Sequence, residues 1–363
     1  MNAGGTSVFP VRVLVVDDSA FMRAALSRII NSDPSFQVVG AAAGGSDALA
    51  KIPALDPDVI TLDVQMPGMD GLTTLKAIMN QFPRPVIMVS AVTEQDADIT
   101  FQALSAGAFD YVPKQMSSTS LEIAHIRSDL LAKIRAAAQA RHVFDGRRFG
   151  RKPPRAAELP RQAPNFAKPA LVAMASSTGG PRALEQILPR FPKDFPLPIL
   201  IVQHMPAGFT RTFAQRLRSL CAIDVHEAVQ REVVGPGAAY ICPAGRHMRV
   251  QRASLSGQVL IFLDKNPAHA LHIPSADVLM ESVANVYGSR ALGVIMTGMG
   301  SDGAQGMKAI YHEGGLTIGQ DEATCTVYGM PRACAELGVL ARIVPLHQIP
   351  EEILGATRRR MPA

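Results

Sequence analysis

Two sets of side chains suited to covalent chemistry lie in opposite halves of this 363-residue chain. In the first half Asp17, Asp18 and Asp63 supply carboxylates, Ser90 a hydroxyl and Lys114 an ammonium group. Three converging carboxylates repel one another unless a hard cation binds between them, and Mg2+, which takes oxygen ligands and retains waters, suits such a cluster. With the cation bound, one carboxylate can attack phosphorus while Lys114 neutralises the phosphoryl oxygens. Asp63, in LDVQMPGMDG, is the central candidate. In the second half, ASSTGG offers Ser176 or Ser177 on a glycine-flanked turn, His204 stands in QHM, and Asp302 stands in TGMGSDGA. A serine oxygen needs a base to take its proton, and the base needs a carboxylate to fix its tautomer. The developing oxyanion needs fixed N–H donors, for which the backbone amide of Met299 is a candidate.

These residues act together only if the chain delivers them to common edges. VRVLVV, QVVGAA, DVITLDV, PVIMVS and AFDYVP read as five buried strands. Helices are expected from Ser19, as N-cap, to about Ile30, from Gly71 to Asn80, from Asp96 to Ala106 and from Thr119 to Ala140. Strands alternating with helices imply a doubly wound parallel sheet, whose ligand crevice lies at the carboxyl ends of its strands. Asp17 and Asp18, Asp63, Ser90 and Lys114 all stand at such ends. Because the first strand runs into DDSA and not a glycine fingerprint, a dinucleotide site is excluded there; Gly40, Gly44 and Gly45 read as a plain turn.

At Ala170 the rhythm restarts. LVAMAS, PILIVQ, ALGVIMTG and LTIGQ predict a second, larger α/β domain with a largely parallel sheet. AAYICPAG, together with the pair RVQRAS and QVLIFL, reads as an antiparallel excursion from it. Ser, His and Asp then arrive on one sheet edge, in a chain order that differs from the Ser, Asp, His of α/β-hydrolases. His269 and His272, three residues apart, lack the Cys or carboxylate companions of a metal site and read as surface or supporting residues. The methionines near strand ends, Met66, Met69, Met205, Met296 and Met299, read mostly as core filling.

Composition narrows the function classes. The isoelectric point near 9.1 belongs to one segment: from Arg141 to Arg161, seven basic residues against two acidic ones match the formal net charge of +5 of the whole chain. That is a solvated linker, not a groove tracking nucleic acid. Cys221, Cys242, Cys325 and Cys334 show no CxxC spacing and read as structural thiols. With no apolar run near the ~20 residues that span a bilayer and no signal-peptide layout, direct membrane insertion is not expected and a cytoplasmic location is.

The constellation of Asp17, Asp18, Asp63, Ser90 and Lys114 resembles the response-regulator receiver family, of flavodoxin-like fold, over about residues 11–135. That resemblance implies Tyr111 as an aromatic switch residue and a sensor histidine kinase as phosphodonor. ASSTGGPRAL, QHMPAGFT, HIPSADVL, VIMTGMGSDGA and GQDEATCTVYGMP look like the chemotaxis-type protein-glutamate methylesterase family over about residues 168–350. The implied roles are Ser177 as nucleophile, His204 as base, Asp302 as orienting acid and Met299 as oxyanion donor, with no cofactor for the hydrolase. The implied substrates are methylated glutamates on the cytoplasmic helices of chemoreceptors, with glutamine deamidation as a second activity. Receiver, linker and catalytic domain are expected at 8–138, 139–167 and 168–355, the unphosphorylated receiver restraining the enzyme. Ala175 and Ser301 depart from the family's usual Gly and Asn without removing a catalytic side chain. A scaffold that has lost hydrolysis is disfavoured by the intact Ser, His and Asp. A DNA-binding regulator is disfavoured because the second half is too long and glycine-rich for a helix-turn-helix module.

Overall fold

The computed structural model describes residues 9–91, 93–114, 120–144, 166–268 and 270–358. They form two compact units, one on each side of residues 145–165. Most of the Pro/Arg-rich linker therefore lies outside the described residues.

The first unit runs β1 (Val11–Val16), α1 (Ala20–Asn31), β2 (Phe36–Ala42), α2 (Gly45–Leu55), β3 (Val59–Asp63), α3 (Gly71–Gln81), β4 (Val86–Ser90), α4 (Glu94–Ser105), β5 (Asp110–Pro113) and α5 (Ser120–Phe144). Its five strands pair in parallel in the order β2-β1-β3-β4-β5. Val13 to Val16 are at most 1% exposed because helices cover both faces, so the strand reads as an unbroken apolar run. Ser19 caps α1 by accepting from the Met22 amide, and Asp70 and Thr93 cap α3 and α4 in the same way. Gly44 and Gly45 do more than turn the chain: they open α2, and Gly45 packs so closely on Thr74 and Met69 that a Cβ has no room. α5 continues four residues beyond Ala140.

The second unit runs β6 (Leu171–Ser176), α6 (Gly180–Ile187), β7 (Ile199–Gln203), α7 (Phe209–Leu220), β8 (Asp224–Glu227), β9 (Ala238–Ile241), β10 (His247–Arg252), β11 (Val259–Asp264), α8 (Ala276–Tyr287), β12 (Ala291–Ile295), α9 (Ala304–His312), β13 (Leu316–Gln320), α10 (Met330–Glu336), β14 (Arg342–Val344) and α11 (Ile349–Arg358). Seven strands form one parallel sheet, in the order β14-β13-β12-β6-β7-β9-β8. β10 and β11 pair antiparallel as a separate ribbon, as RVQRAS and QVLIFL predict. The expectation for AAYICPAG is corrected. Its strand, β9, joins the main sheet in parallel beside β7, because Ala239 and Ile241 are fully buried there. β8 and β14 extend the sheet at its two edges.

In both units the site falls where strand order reverses. From β6 the chain builds outward through β7 and then crosses back to lay β12 on the other flank of β6. The carboxyl ends of β6, β7 and β12 therefore open into one crevice. In the first unit β1 lies between β2 and β3, so Asp17 and Asp63 meet in the same way.

Candidate active site

Ser177 stands one residue beyond β6, on a turn that glycine makes possible. Gly179 has φ +78°, a region that side chains with a Cβ resist, and a Cβ on Gly180 would collide with Gln203 Oε1 and Ser176. The Ser177 amide donates to Thr297 O at 3.0 Å, and its carbonyl accepts from Gly180 N at 2.8 Å and Gln203 Nε2 at 2.9 Å. Ser177 is partly exposed, whereas Ser176 is fully buried and donates its hydroxyl proton to Gln203 Oε1 at 2.7 Å. A hydroxyl without accessible surface and with its proton committed is a poor nucleophile.

His204 follows β7, and its amide donates to Ser176 O at 3.0 Å. The Gln203 amide group, which bonds Ser177 O, also donates to His204 O at 2.9 Å, so one buried side chain fastens both turns. The imidazole meets Asp302 through Nε2, 2.7 Å from Oδ2. Nδ1 is buried and has no hydrogen-bond partner among the described residues. The proton therefore belongs on Nε2, and Nδ1 carries the lone pair that can act as base.

Asp302 sits at the amino end of α8. Besides His204 it accepts from Ala276 N at 2.6 Å, Ser275 Oγ at 2.7 Å and Asp277 N at 3.2 Å. Burial pushes its carboxyl up, but the hydrogen bond from His204 and the donors of α8 outweigh burial and hold it far below the ordinary carboxylate range. Ser275 is held in turn by His247, whose Nδ1 accepts from Ser275 N at 3.1 Å and whose Nε2 lies 3.3 Å from Pro267 O. Burial lowers the His247 pKa and keeps the ring neutral, as both bonds require.

Met299 follows Gly298, and a Cβ on Gly298 would lie 2.8 Å from Ser177 Cβ. Gly298 N donates to Val327 O at 3.0 Å while its carbonyl accepts from Gly329 and Met330, which fixes the turn bearing the Met299 amide against Ser177. Thr297 supports the same turns through Oγ1, which donates to Thr178 O at 2.9 Å. Ala175 is fully buried among the apolar side chains of the core, and Ser301 is exposed.

Sequence reasoning passed over Gln203, His247, Ser275 and Thr297. Gln203 and Thr297 carried a signal, as polar residues ending apolar strands. Ser275 had one as a cap three residues before Val278. His247 had none. His272, read as a surface or supporting residue, stacks on His204 with ring centroids 4.3 Å apart and planes 20° apart; His269 lies outside the described residues. All four cysteines are free, and burial pushes the Cys221 thiol up to about 11 and the Cys334 thiol up to about 12.

In the first unit, carboxylate oxygens of Asp17, Asp18 and Asp63 lie within 4.8 Å of one another. Lys114 Nζ is 2.6 Å from Asp63 and 3.0 Å from Asp17 Oδ2, so one ammonium group bridges the two buried carboxylates. Burial pushes the Asp63 carboxyl above its ordinary range against the pull of Lys114, and the Asp17 charge adds to the rise. Three carboxylates this close together, two of them buried, offer the oxygen ligands that Mg2+ takes. Ser90 ends β4 next to the Asp63 strand, fully buried, donating to Ala91 O at 3.2 Å and accepting from Thr100 at 2.9 Å. Tyr111 is buried on β5, with Lys133 Nζ 5.4 Å from its ring centre.

The CheB methylesterase family matches residues 172–353, half of the chain, and the response regulator receiver domain matches residues 13–125. A protein-glutamate methylesterase/protein-glutamine glutaminase of Pyrococcus horikoshii is 46% identical over 348 residues, covering 95% of this chain and 93% of that protein. The chain belongs to the CheB methylesterase family. Another protein of the same name, numbered 2, from Nitratidesulfovibrio vulgaris is 46% identical and covers 95% of the chain and 98% of its own length. The CheB methylesterase catalytic domain of Thermotoga maritima, a crystal structure, matches 52% of this chain and 99% of its own at 40% identity and a TM-score of 0.50. Family membership accounts for a receiver and an esterase in one chain, and it places both candidate sites inside family domains.

Within this CheB fold Asp277 couples α8 to α9, its Oδ1 accepting from Gly306 N at 2.8 Å. Burial pushes its carboxyl up to about 6, and the charge of Asp302 adds to the rise. A folded-state pKa above the unfolded value near 3.8 makes ionisation costly in the native state at pH above about 6, and costless below the unfolded value. Asp277→Asn, which keeps an acceptor for Gly306, is therefore expected to raise Tm at pH 8. The gain should shrink to nothing as pH falls through the window from about 6 to 4. Thermal unfolding across that range checks it; an equal shift at pH 4 and pH 8 would refute the assignment.

Proposed function

We propose that the chain is a phosphorylation-regulated protein-glutamate methylesterase and protein-glutamine glutaminase, with Ser177, His204 and Asp302 as its catalytic residues. The observation that carries this reading is the 2.7 Å His204–Asp302 bond, with Nδ1 left free, in the crevice that holds the partly exposed Ser177. Ser177 Oγ attacks the carbonyl carbon of a glutamate γ-methyl ester while His204 Nδ1 takes its proton, and Asp302 stabilises the imidazolium through Nε2. The Met299 amide faces the oxyanion. On collapse His204 returns the proton to the departing methoxide, methanol leaves, and the acyl group stays on Ser177. Water, deprotonated by His204, then attacks the acyl carbon; the acyl–Oγ bond breaks, His204 returns the proton to Ser177 Oγ, and the glutamate side chain is left as a carboxylate. A glutamine side chain follows the same path with ammonia as the leaving group.

Asp63 accepts the phosphoryl group from the phosphohistidine of a sensor kinase, and Asp17, Asp18 and Asp63 are the residues that would hold Mg2+. Bound there, the ion would neutralise developing phosphoryl charge. Lys114, Ser90 and Tyr111 read the new charge in the receiver. The domain limits that fit this reading are 8–138 for the receiver, 139–167 for the linker and 168–355 for the enzyme. No helix among the described residues is long and apolar enough to cross a membrane. The substrates are the cytoplasmic helices of methylated chemoreceptors, which places the enzyme's work in the cytoplasm.

The test is methanol release from a methylated chemoreceptor fragment, with and without a small phosphodonor plus Mg2+, for the native chain and Asp63→Asn. The native rate is expected to rise with phosphodonor by roughly tenfold or more, as a coupling of 1–3 kcal/mol between sites allows, and the variant to stay flat. No methanol from the native chain in either state would sink the esterase reading. Equal activation of both chains would sink Asp63 as acceptor.

A further inference from the structure

We infer that His272 is a positioning residue that holds the plane of the His204 ring, an inference that rests on His204 being the base. A single hydrogen bond from Nε2 to Asp302 leaves the imidazole free to swing about that contact, which would carry Nδ1 away from Ser177. The His272 ring closes that freedom from the side, stacked at 4.3 Å and 20°. It is partly exposed, so it lies at the mouth of the site and not in the core.

The stack is built by the same stretch of chain that builds the acid. Between β11 and α8, Pro267 O lies within reach of His247 Nε2, Ala270 N donates to Pro267 O at 3.1 Å, and Ile273 O accepts from Gly245 N at 3.2 Å. Three residues after His272 comes Ser275, which bonds both His247 and Asp302. One anchored segment thus brings Ser275 to the carboxylate and His272 to the imidazole, so the two partners of the base keep a common register. As His204 takes up its proton in the transition state, the π face of the neighbouring ring lies against the developing cation, the geometry in which an aromatic ring favours positive charge.

The role predicts that what matters at this position is a flat ring. His272→Phe keeps the ring and removes both nitrogens, whereas His272→Gln keeps polarity and removes the ring. Steady-state methanol release by the full phosphorylated chain is expected to show kcat for the Gln variant lowered roughly 10- to 100-fold, the cost of a misplaced catalytic group. KM should stay within about twofold, because the loss falls on the transition state. The Phe variant should remain within about threefold of native kcat. Native kcat in the Gln variant, or equal losses in both, overturns the inference.

A second measurement stands apart from activity. In the native chain the His204 ring protons should resonate upfield from the ring current of His272, and the shift should vanish in the Gln variant. Unshifted resonances in the native chain overturn the stack. Absence of methanol from the native chain would instead refute the esterase reading, and the resonances still decide the stack.

Discussion

Ser177→Ala is expected to lower kcat/KM for methyl-ester hydrolysis by at least about 10^4-fold, while Ser176→Ala keeps most of the native rate. The two serines are neighbours in the chain but not in environment. Ser177 is partly exposed on the turn after β6, and Ser176 is sealed beneath it with its proton given to Gln203. Removing the Ser176 hydroxyl leaves Gln203 Oε1 buried without its donor, which costs about 1–3 kcal/mol. That loss should appear as a lower Tm, with some loosening of the Ser177 and His204 turns that Gln203 holds. Removing the Ser177 hydroxyl removes the proposed nucleophile and should leave Tm nearly unchanged. Methanol release and thermal unfolding of both variants separate the cases; a dead Ser176→Ala beside an active Ser177→Ala would reverse the assignment.

Asp302→Asn is expected to cost roughly 10^3- to 10^4-fold in kcat by inverting the tautomer of His204. Four donors converge on the Asp302 carboxylate, and an amide offers one acceptor oxygen and one NH2 group that must face donors already in place. If the NH2 turns toward His204, the ring must accept at Nε2 and carry its proton on Nδ1, where it can no longer take one from Ser177. If it takes the Oδ1 side instead, the Asp277 amide loses its acceptor and the Ser275 hydroxyl can no longer donate. Stability should move with pH in a defined direction. Because the folded-state pKa of Asp302 is depressed below its usual 3.8, its contribution is complete above that value and is lost as pH falls toward the folded pKa. The destabilisation of Asp302→Asn should therefore be full at pH 7 and fade in acid below pH ~4. A variant that keeps kcat within tenfold of native would exclude Asp302 from the proton-transfer chain.

The candidate site residues were legible because they follow long apolar strands. VRVLVV before Asp17, DVITLDV around Asp63, LVAMAS before Ser177 and PILIVQ before His204 each announce a buried strand, and a parallel sheet sends all strand ends to one edge. Short edge strands lack that signal. β8 carries Asp224, His226 and Glu227 in four residues, and β14 has three residues, all partly exposed. β9 was assigned to the wrong neighbours because its parallel partner β7 lies nearly forty residues upstream, whereas hairpin pairing is local and visible in sequence.

By itself the sequence determined the α/β class, the strand ends that bear Asp63, Ser177, His204 and Asp302, and the division into a switch half and a hydrolase half. These follow from local periodicity and from the chemistry of residue types. Only the tertiary structure decided that Ser176 is sealed while Ser177 stays partly exposed, that Nδ1 of His204 has no hydrogen-bond partner among the described residues, and that Gln203, His247, Ser275 and His272 gather around the candidate site. Each of those decisions rests on a contact between residues far apart in the chain, from 26 positions for Gln203 and Ser177 to 98 for His204 and Asp302. A hydrogen bond across such a span leaves no periodic trace in sequence, because its geometry is set by where the sheet and helices bring the two ends together.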